Sequence, residues 1–209
     1  MTTVSVLGSG IMATALAFPL SDNGHEVRLI GTHLDREIID SINETGVHPG
    51  LDLEVPSTVG AFQLDEAEEA FDGSDVILSG VNSFGVRWAG GQLSSLLQPG
   101  MRVLSIAKGL QATESGDLRI LPEVLAEEVP EGLREQISWS AIAGPSIAGE
   151  VAVRRDTCVV FAGRDAGVLE EMSGLFRTPY YHVWTSTDFV GVEVCAAAKN
   201  CYALGAGFM

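Results

Sequence analysis

The sequence predicts an α/β protein with a doubly wound, mostly parallel sheet. Three observations predict it. Short apolar runs with strand character alternate with stretches of helical length along the whole chain. The hydrophobic fraction of 46% and the 24 glycines among 209 residues suit many tight strand-to-helix turns. The first thirty residues read as a strand, a glycine-rich turn, a helix and a second strand.

The elements follow in order. Thr3–Leu7 is a short apolar strand. Gly8-Ser-Gly-Ile-Met-Ala13 opens a helix that Asn23-Gly24 ends, and Glu26–Ile30 is the second strand. Leu34–Glu44 reads as a helix. His48-Pro-Gly50 and Val55-Pro56 mark a loop, with a short strand at Ala61–Leu64 and a helix at Glu66–Phe71. Asp75–Ser79 and Arg102–Ile106 are buried strands on either side of a helix at Arg87–Leu97. Asp117–Glu128 reads as a helix with Pro122 near a boundary. Ile137–Ile142 and Thr157–Phe161 are strands, with a short helical segment at Ile147–Val151 between them. Asp165–Phe176 is a helix, Tyr180–Trp184 a last strand, and a final helix runs from about Asp188 to Met209. The division expected is one unit over 1–186 and the start of a second over 187–209.

The opening βαβ unit is the context in which a glycine-rich turn binds a dinucleotide. Gly8 permits the tight turn, and Gly10 lets backbone approach a pyrophosphate. Ala13 stands where a third glycine often sits. Phosphates would lie at the helix N-terminus, near the N–H groups of Ile11 and Met12, where the helix dipole favours negative charge. The architecture is thus Rossmann-like. After the second strand the chain reads Gly31-Thr-His-Leu-Asp-Arg36, with no acid at the point where a ribose 2′-hydroxyl is usually bound. Thr32, His33 and Arg36 would instead accommodate a 2′-phosphate, so both NAD and NADP are allowed.

A net charge of −16 argues against nucleic acid as partner, because phosphate backbones attract basic proteins. No apolar run reaches the roughly 18 residues that span a bilayer. The N-terminus shows no targeting segment, so a cytoplasmic protein is expected. Cys158, Cys195 and Cys201 show no metal-ligand spacing and read as reduced thiols. Two isolated lysines are the candidate chemical groups. Lys108 follows a strand at the carboxyl edge, where ligands bind in open α/β sheets. Lys199 sits among small residues in the final helix, with Asn200 beside it. Gly144-Pro-Ser146 follows another strand, and its N–H groups and hydroxyl suit a polar or anionic ligand.

With these motifs in order, the chain resembles the bacterial NAD(P)-dependent glycerol-3-phosphate dehydrogenases. The resemblance rests on Gly8 to Ala13, Asn23-Gly-His-Glu-Val27, Ala107-Lys-Gly-Leu110, Ala143 to Val151, Thr187-Asp-Phe-Val-Gly191 and Ala198-Lys-Asn-Cys-Tyr-Ala203. It implies interconversion of sn-glycerol 3-phosphate and dihydroxyacetone phosphate. Lys199 then matches the family's acid/base, and Lys108 a lysine touching substrate and cofactor. Gly144, Ser146 and Asn200 match substrate positions. Gly8, Gly10, Ile11, Met12, Thr32, Lys108 and Ala148 match cofactor positions. Asn82 stands where the family commonly has proline, and Ala196–Ala198 replaces a more glycine-containing segment. The resemblance also implies a further C-terminal helical domain that completes the substrate site and is absent from these 209 residues. The last helix would then expose apolar surface and favour self-association, as a homodimer. Two rival readings stand beside this one: a ketopantoate reductase-like dehydrogenase, and a non-catalytic NAD(P)-binding module.

Overall fold

The structure, a computed structural model, describes residues 1–208; Met209, the last residue of the expected final helix, lies outside them. The chain begins with β1 (Thr3–Leu7), α1 (Ile11–Asp22), β2 (Glu26–Ile30) and α2 (Arg36–Thr45). A small hairpin of β3 (Val47–His48) and β4 (Leu53–Glu54) precedes β5 (Val59–Phe62). Then come α3 (Ala67–Phe71), β6 (Val76–Ser79), α4 (Val86–Leu96) and β7 (Arg102–Ser105). A second hairpin, β8 (Leu110–Ala112) and β9 (Leu118–Ile120), leads to α5 (Leu121–Glu127) and α6 (Glu131–Arg134). The remainder is β10 (Ser138–Ala143), α7 (Ala148–Ala152), β11 (Thr157–Gly163), α8 (Ala166–Phe176), β12 (Tyr181–Ser186) and α9 (Phe189–Gly207).

Eight strands form one sheet in the order β12-β11-β10-β7-β6-β1-β2-β5. Every pairing is parallel except β10 with β11, so the doubly wound, mostly parallel sheet is present with one reversal. Side-chain alternation along the strands divides the core in two. Val4, Val6, Val76, Leu78 and Leu104 face one layer, with α1, α7 and α8. Leu7, Ile77 and Val103 face the other, with α3, α4 and α5. Strands buried on both faces need helices on both faces, which is why the sequence reads as apolar runs rather than strict alternation.

Helix α1 is apolar nearly all round, and every residue from Ala13 to Leu20 is buried. Such a helix is held by packing rather than by a polar face. It ends as the sequence requires, with Gly24 at φ +76° and the His25 N–H donating to the Leu20 carbonyl.

The sequence reading and the structure differ in several places, among them a short helix α6 that was not expected. Residues 117–120, expected to be helical, belong to the β8–β9 hairpin, whose turn places Gly116 at φ +89°. Pro122 sits in the first turn of α5, where its missing N–H costs nothing. The loop around His48 contains the β3–β4 hairpin. The strand expected at Ala61–Leu64 lies at Val59–Phe62.

Candidate active site

The turn after β1 is built by close approach. Gly8 has φ +110°, and a methyl added there would meet the Gly80 carbonyl at 3.0 Å. Gly80, at the end of β6, is the complementary gap: a methyl on it would lie 2.6 Å from the Ala13 Cβ. The methyl of Ala13 is therefore accommodated by a glycine on the neighbouring strand, which the sequence reading did not single out. Gly10 is the N-cap of α1, carries no side-chain cap, and has open space where a Cβ would stand. The first turn of α1 has no acidic residue. The first N–H groups of α1, those of Ile11 and Met12 among them, thus face a space that suits an anion.

Two anchors hold this turn, one half-buried and one buried. The Asp35 carboxylate accepts the Thr32 N–H at 2.9 Å and the Ser9 N–H at 3.3 Å, tying the turn to the loop after β2. His48, in the β3–β4 hairpin, is 1% exposed. Its Nδ1 accepts the N–H groups of Gly50 and Leu51, both at 3.1 Å, which leaves Nε2 to donate to the Ser9 carbonyl at 2.9 Å. The loop carrying His48 had been read only as a connection, although its His-Pro-Gly sequence already marked a turn.

A cleft of about 710 Å³ opens beyond the turn, large enough for a dinucleotide half or a drug-sized ligand. Gly8, Gly10, Ile11, Met12, Thr32 and Lys108 all line it, so every expected cofactor position except Ala148 converges there. Exposed Leu34 and Phe84 border it and offer apolar surface to a flat ring. His33 packs edge-on against Trp88 with ring centroids 5.1 Å apart. A second recess lies alongside, lined by Thr32, His33, Arg36 and Gln63. The opposite wall of the cleft is stiffened by Asn82, whose side-chain oxygen accepts the N–H groups of Phe84 at 3.0 Å and Gly85 at 3.2 Å. A hydrogen-bonded cap here does what a proline ring would do by fixing φ. These residues fit a bound dinucleotide: an uncapped helix end, a glycine with no Cβ in the way, and an open cleft that continues from it.

Lys108, in the segment between β7 and β8, joins this cleft to α9. It is half-buried, and its ammonium is held below the ordinary lysine range by burial and by the nearby charge of Lys199, with Glu193 opposing. Lys199 and Asn200 are exposed on α9. Glu193, one and two-thirds turns before Lys199 on the same helix, is fully buried, and neither carboxylate oxygen has a hydrogen-bond partner among the described residues. Nothing in the sequence distinguishes it from the other residues of the final helix.

The Gly144-Pro-Ser146 turn lies apart from the cleft lining. Gly144 has φ +124°, and a methyl there would meet the Cys158 carbonyl and the Val159 Cα at 3.1 Å, so glycine is required by backbone packing against β11. The Ser146 hydroxyl is buried without a hydrogen bond among the described residues. Ala148 is buried at the start of α7 in the same core cluster as α1.

Comparison with known proteins gives a consistent set of likenesses. The family model described as "NAD-dependent glycerol-3-phosphate dehydrogenase N-terminus" matches residues 3–168. The NADP(+)-dependent glycerol-3-phosphate dehydrogenase of Archaeoglobus fulgidus is 37% identical over 201 residues, covering 96% of this chain and 58% of its own length. The glycerol-3-phosphate dehydrogenase [NAD(P)+] of Streptococcus thermophilus is 36% identical over 206 residues, covering 98% of this chain and 58% of its own length. The crystal structure of the glycerol-3-phosphate dehydrogenase of Coxiella burnetii superimposes with a TM-score of 0.81 at 27% identity, covering 95% of this chain and 58% of that one. The chain thus spans somewhat over half the length of the curated relatives it matches.

Proposed function

Since this chain belongs to the NAD-dependent glycerol-3-phosphate dehydrogenase family, we propose that it is the cofactor-binding part of an enzyme interconverting sn-glycerol 3-phosphate and dihydroxyacetone phosphate with NAD(P)(H). The observation that carries the reading is Lys108. It lines the dinucleotide cleft and at the same time lies within electrostatic range of Lys199. Reducing a ketone requires a hydride on carbon and a proton on oxygen, and those two deliveries must meet at one point. The bound nicotinamide would supply the hydride. Lys199 would protonate the ketone oxygen, and in the reverse direction its neutral amine would take the hydroxyl proton. Lys108, placed between the two, would hold the substrate and offset the negative charge that develops on oxygen. Residues 1–186 would then form the cofactor unit, with α9 the first helix of the substrate unit. Gly144, Ser146 and Asn200 would serve the substrate, and Ala148 the cofactor, in the substrate-bound arrangement. The whole enzyme would act as a homodimer in the cytoplasm.

The test is oxidation of NADH and NADPH on addition of dihydroxyacetone phosphate, with ketopantoate alongside. Turnover of the first substrate alone supports the reading. Turnover of ketopantoate would replace it, and nucleotide binding without turnover in the full-length protein would leave only a binding module.

The recess beside the cleft makes the cofactor choice testable. Arg36 lines it and has no ion-pair partner among the described residues. A charge-assisted hydrogen bond to a 2′-phosphate contributes about 1.5–3 kcal/mol. Arg36→Ala is therefore expected to weaken NADPH binding by at least about tenfold and to leave NADH within about twofold, measured by fluorescence titration. Equal losses for both would assign Arg36 to the adenosine generally rather than to its phosphate.

A further inference from the structure

Glu193 does not belong to any role assigned above, and its placement is costly. A carboxyl group with no hydrogen bond at either oxygen is expensive to bury, and such groups in native proteins call for an explanation. The explanation is in its surroundings. Glu193 lies on α9, which packs on β8, β9, β10 and β11. Lys108 stands two residues before β8, and Lys199 follows on the same helix. We propose that Glu193 is a positioning residue for the reaction: a buried carboxyl that acts on Lys108 by its charge, keeping the ammonium in place between the cofactor cleft and α9, without itself touching substrate.

The electrostatics around the pair are simple. Strands β8 and β10 carry no titratable side chain. Arg119 on β9 is engaged by Glu127 at 3.0 Å, and Cys158 on β11 is exposed. On α9 itself the other groups are Asp188, whose carboxylate caps the helix by accepting the Gly191 N–H at 3.0 Å, Lys199, Tyr202 and the exposed Cys195 and Cys201. Lys108 thus has one like charge and one opposite charge that matter, Lys199 and Glu193. Burial pushes the Glu193 carboxyl up to about 7 against the opposing pull of Lys108. The sign follows. Ionised Glu193 favours charged Lys108, so removing the carboxylate lowers the lysine further and exposes more free amine at a given pH.

This inference rests on the proposed dehydrogenase site for its meaning, but its test needs no turnover. The rate of Lys108 acylation by acetic anhydride, followed by peptide mass spectrometry across pH 6–10, reports the free amine. Glu193→Gln keeps the shape and removes the charge. It is expected to raise Lys108 acylation near pH 8 by about threefold or more, and Glu193→Asp to return it toward the starting value. An unchanged Lys108 profile in folded Glu193→Gln protein would overturn the proposal. Should that variant fold poorly, the infrared carboxylic-acid band of Glu193 can be titrated in the unaltered protein and in Lys108→Met. The midpoint should rise in Lys108→Met, and an unmoved midpoint would overturn the proposal equally. An intact Lys108 response in a protein that reduces no dihydroxyacetone phosphate would support the coupling while counting against the activity alone.

Discussion

Replacing Lys199 by alanine is expected to lower the rate of dihydroxyacetone phosphate reduction by about 10²–10⁴-fold, the usual worth of a general acid. The loss should fall on kcat, since the proton is needed in the transition state and contributes little to ground-state binding. NADH and NADPH affinity should be unchanged, because Lys199 lies outside the cleft lining. Stability should also hold: Lys199 is exposed, and alanine is the better helix former. The measurement pairs single-turnover kinetics with nucleotide titration on the same protein. A variant that keeps its rate would remove Lys199 from the chemistry and leave Lys108 as the proton donor. A variant that loses rate and nucleotide affinity together would indicate a structural fault in α9.

The second large effect concerns the contact between α1 and β6. A methyl added at Gly80 would stand 2.6 Å from the Ala13 Cβ and 3.1 Å from the Gly8 and Leu7 carbonyls. Neither side can retreat. Ala13 lies in a helix buried on all sides, and the carbonyls belong to the end of β1, an interior strand of the sheet, and to the turn that follows it. Overpacking of this kind typically costs about 1–3 kcal/mol. For a chain of this size that lowers Tm by roughly 2–12 °C. Nucleotide affinity should fall as well, because the same displacement moves the Gly8–Gly10 turn. The cause can be isolated. Ala13→Gly removes the facing methyl, so the double variant Ala13→Gly/Gly80→Ala should recover more than half of the lost Tm. A double variant no better than Gly80→Ala alone would place the clash at the carbonyls instead.

These two sites also show how much the sequence disclosed. The βαβ opening was legible because three separate signals agree over 28 residues: an apolar strand, glycines at the turn, and Asn23-Gly24 at the helix end. Both lysines were legible because each is isolated among small or apolar residues. Gly80 was not, since its purpose depends on Ala13, some 67 positions earlier in the chain, and only the parallel pairing of β1 with β6 brings them together. Glu193 was hidden for a different reason. A glutamate on a terminal helix is ordinarily solvated, and its complete burial depends on how α9 packs across β8, β9, β10 and β11, a tertiary arrangement that no local pattern announces. The β8–β9 hairpin was missed because polar residues around Asp117 match a helix start as well as a turn. Gly116 flanked by Leu110-Gln-Ala112 and Leu118-Arg-Ile120 was the available counter-signal. Asn82 stands where proline is common, and its carboxamide caps the turn by hydrogen bonding, which the identity of the residue alone does not reveal.

The order of strands in the sheet has a consequence for how the protein is made. β1, the first strand of the chain, ends up inside the sheet, third from one edge. Strands β2 and β5 join on one side, and β6, β7, β10, β11 and β12 join on the other, each in the order of its synthesis. Every strand therefore docks on an edge that already exists, and none has to be threaded between two formed neighbours. As the chain leaves the ribosome, the growing sheet always presents an open edge to the segment arriving next. The Gly8–Gly10 turn, supported by β1, β2 and β6, is assembled before half of these residues have emerged, so a nucleotide bound there as proposed would stabilise the nascent sheet well before Lys108 or Lys199 is in place.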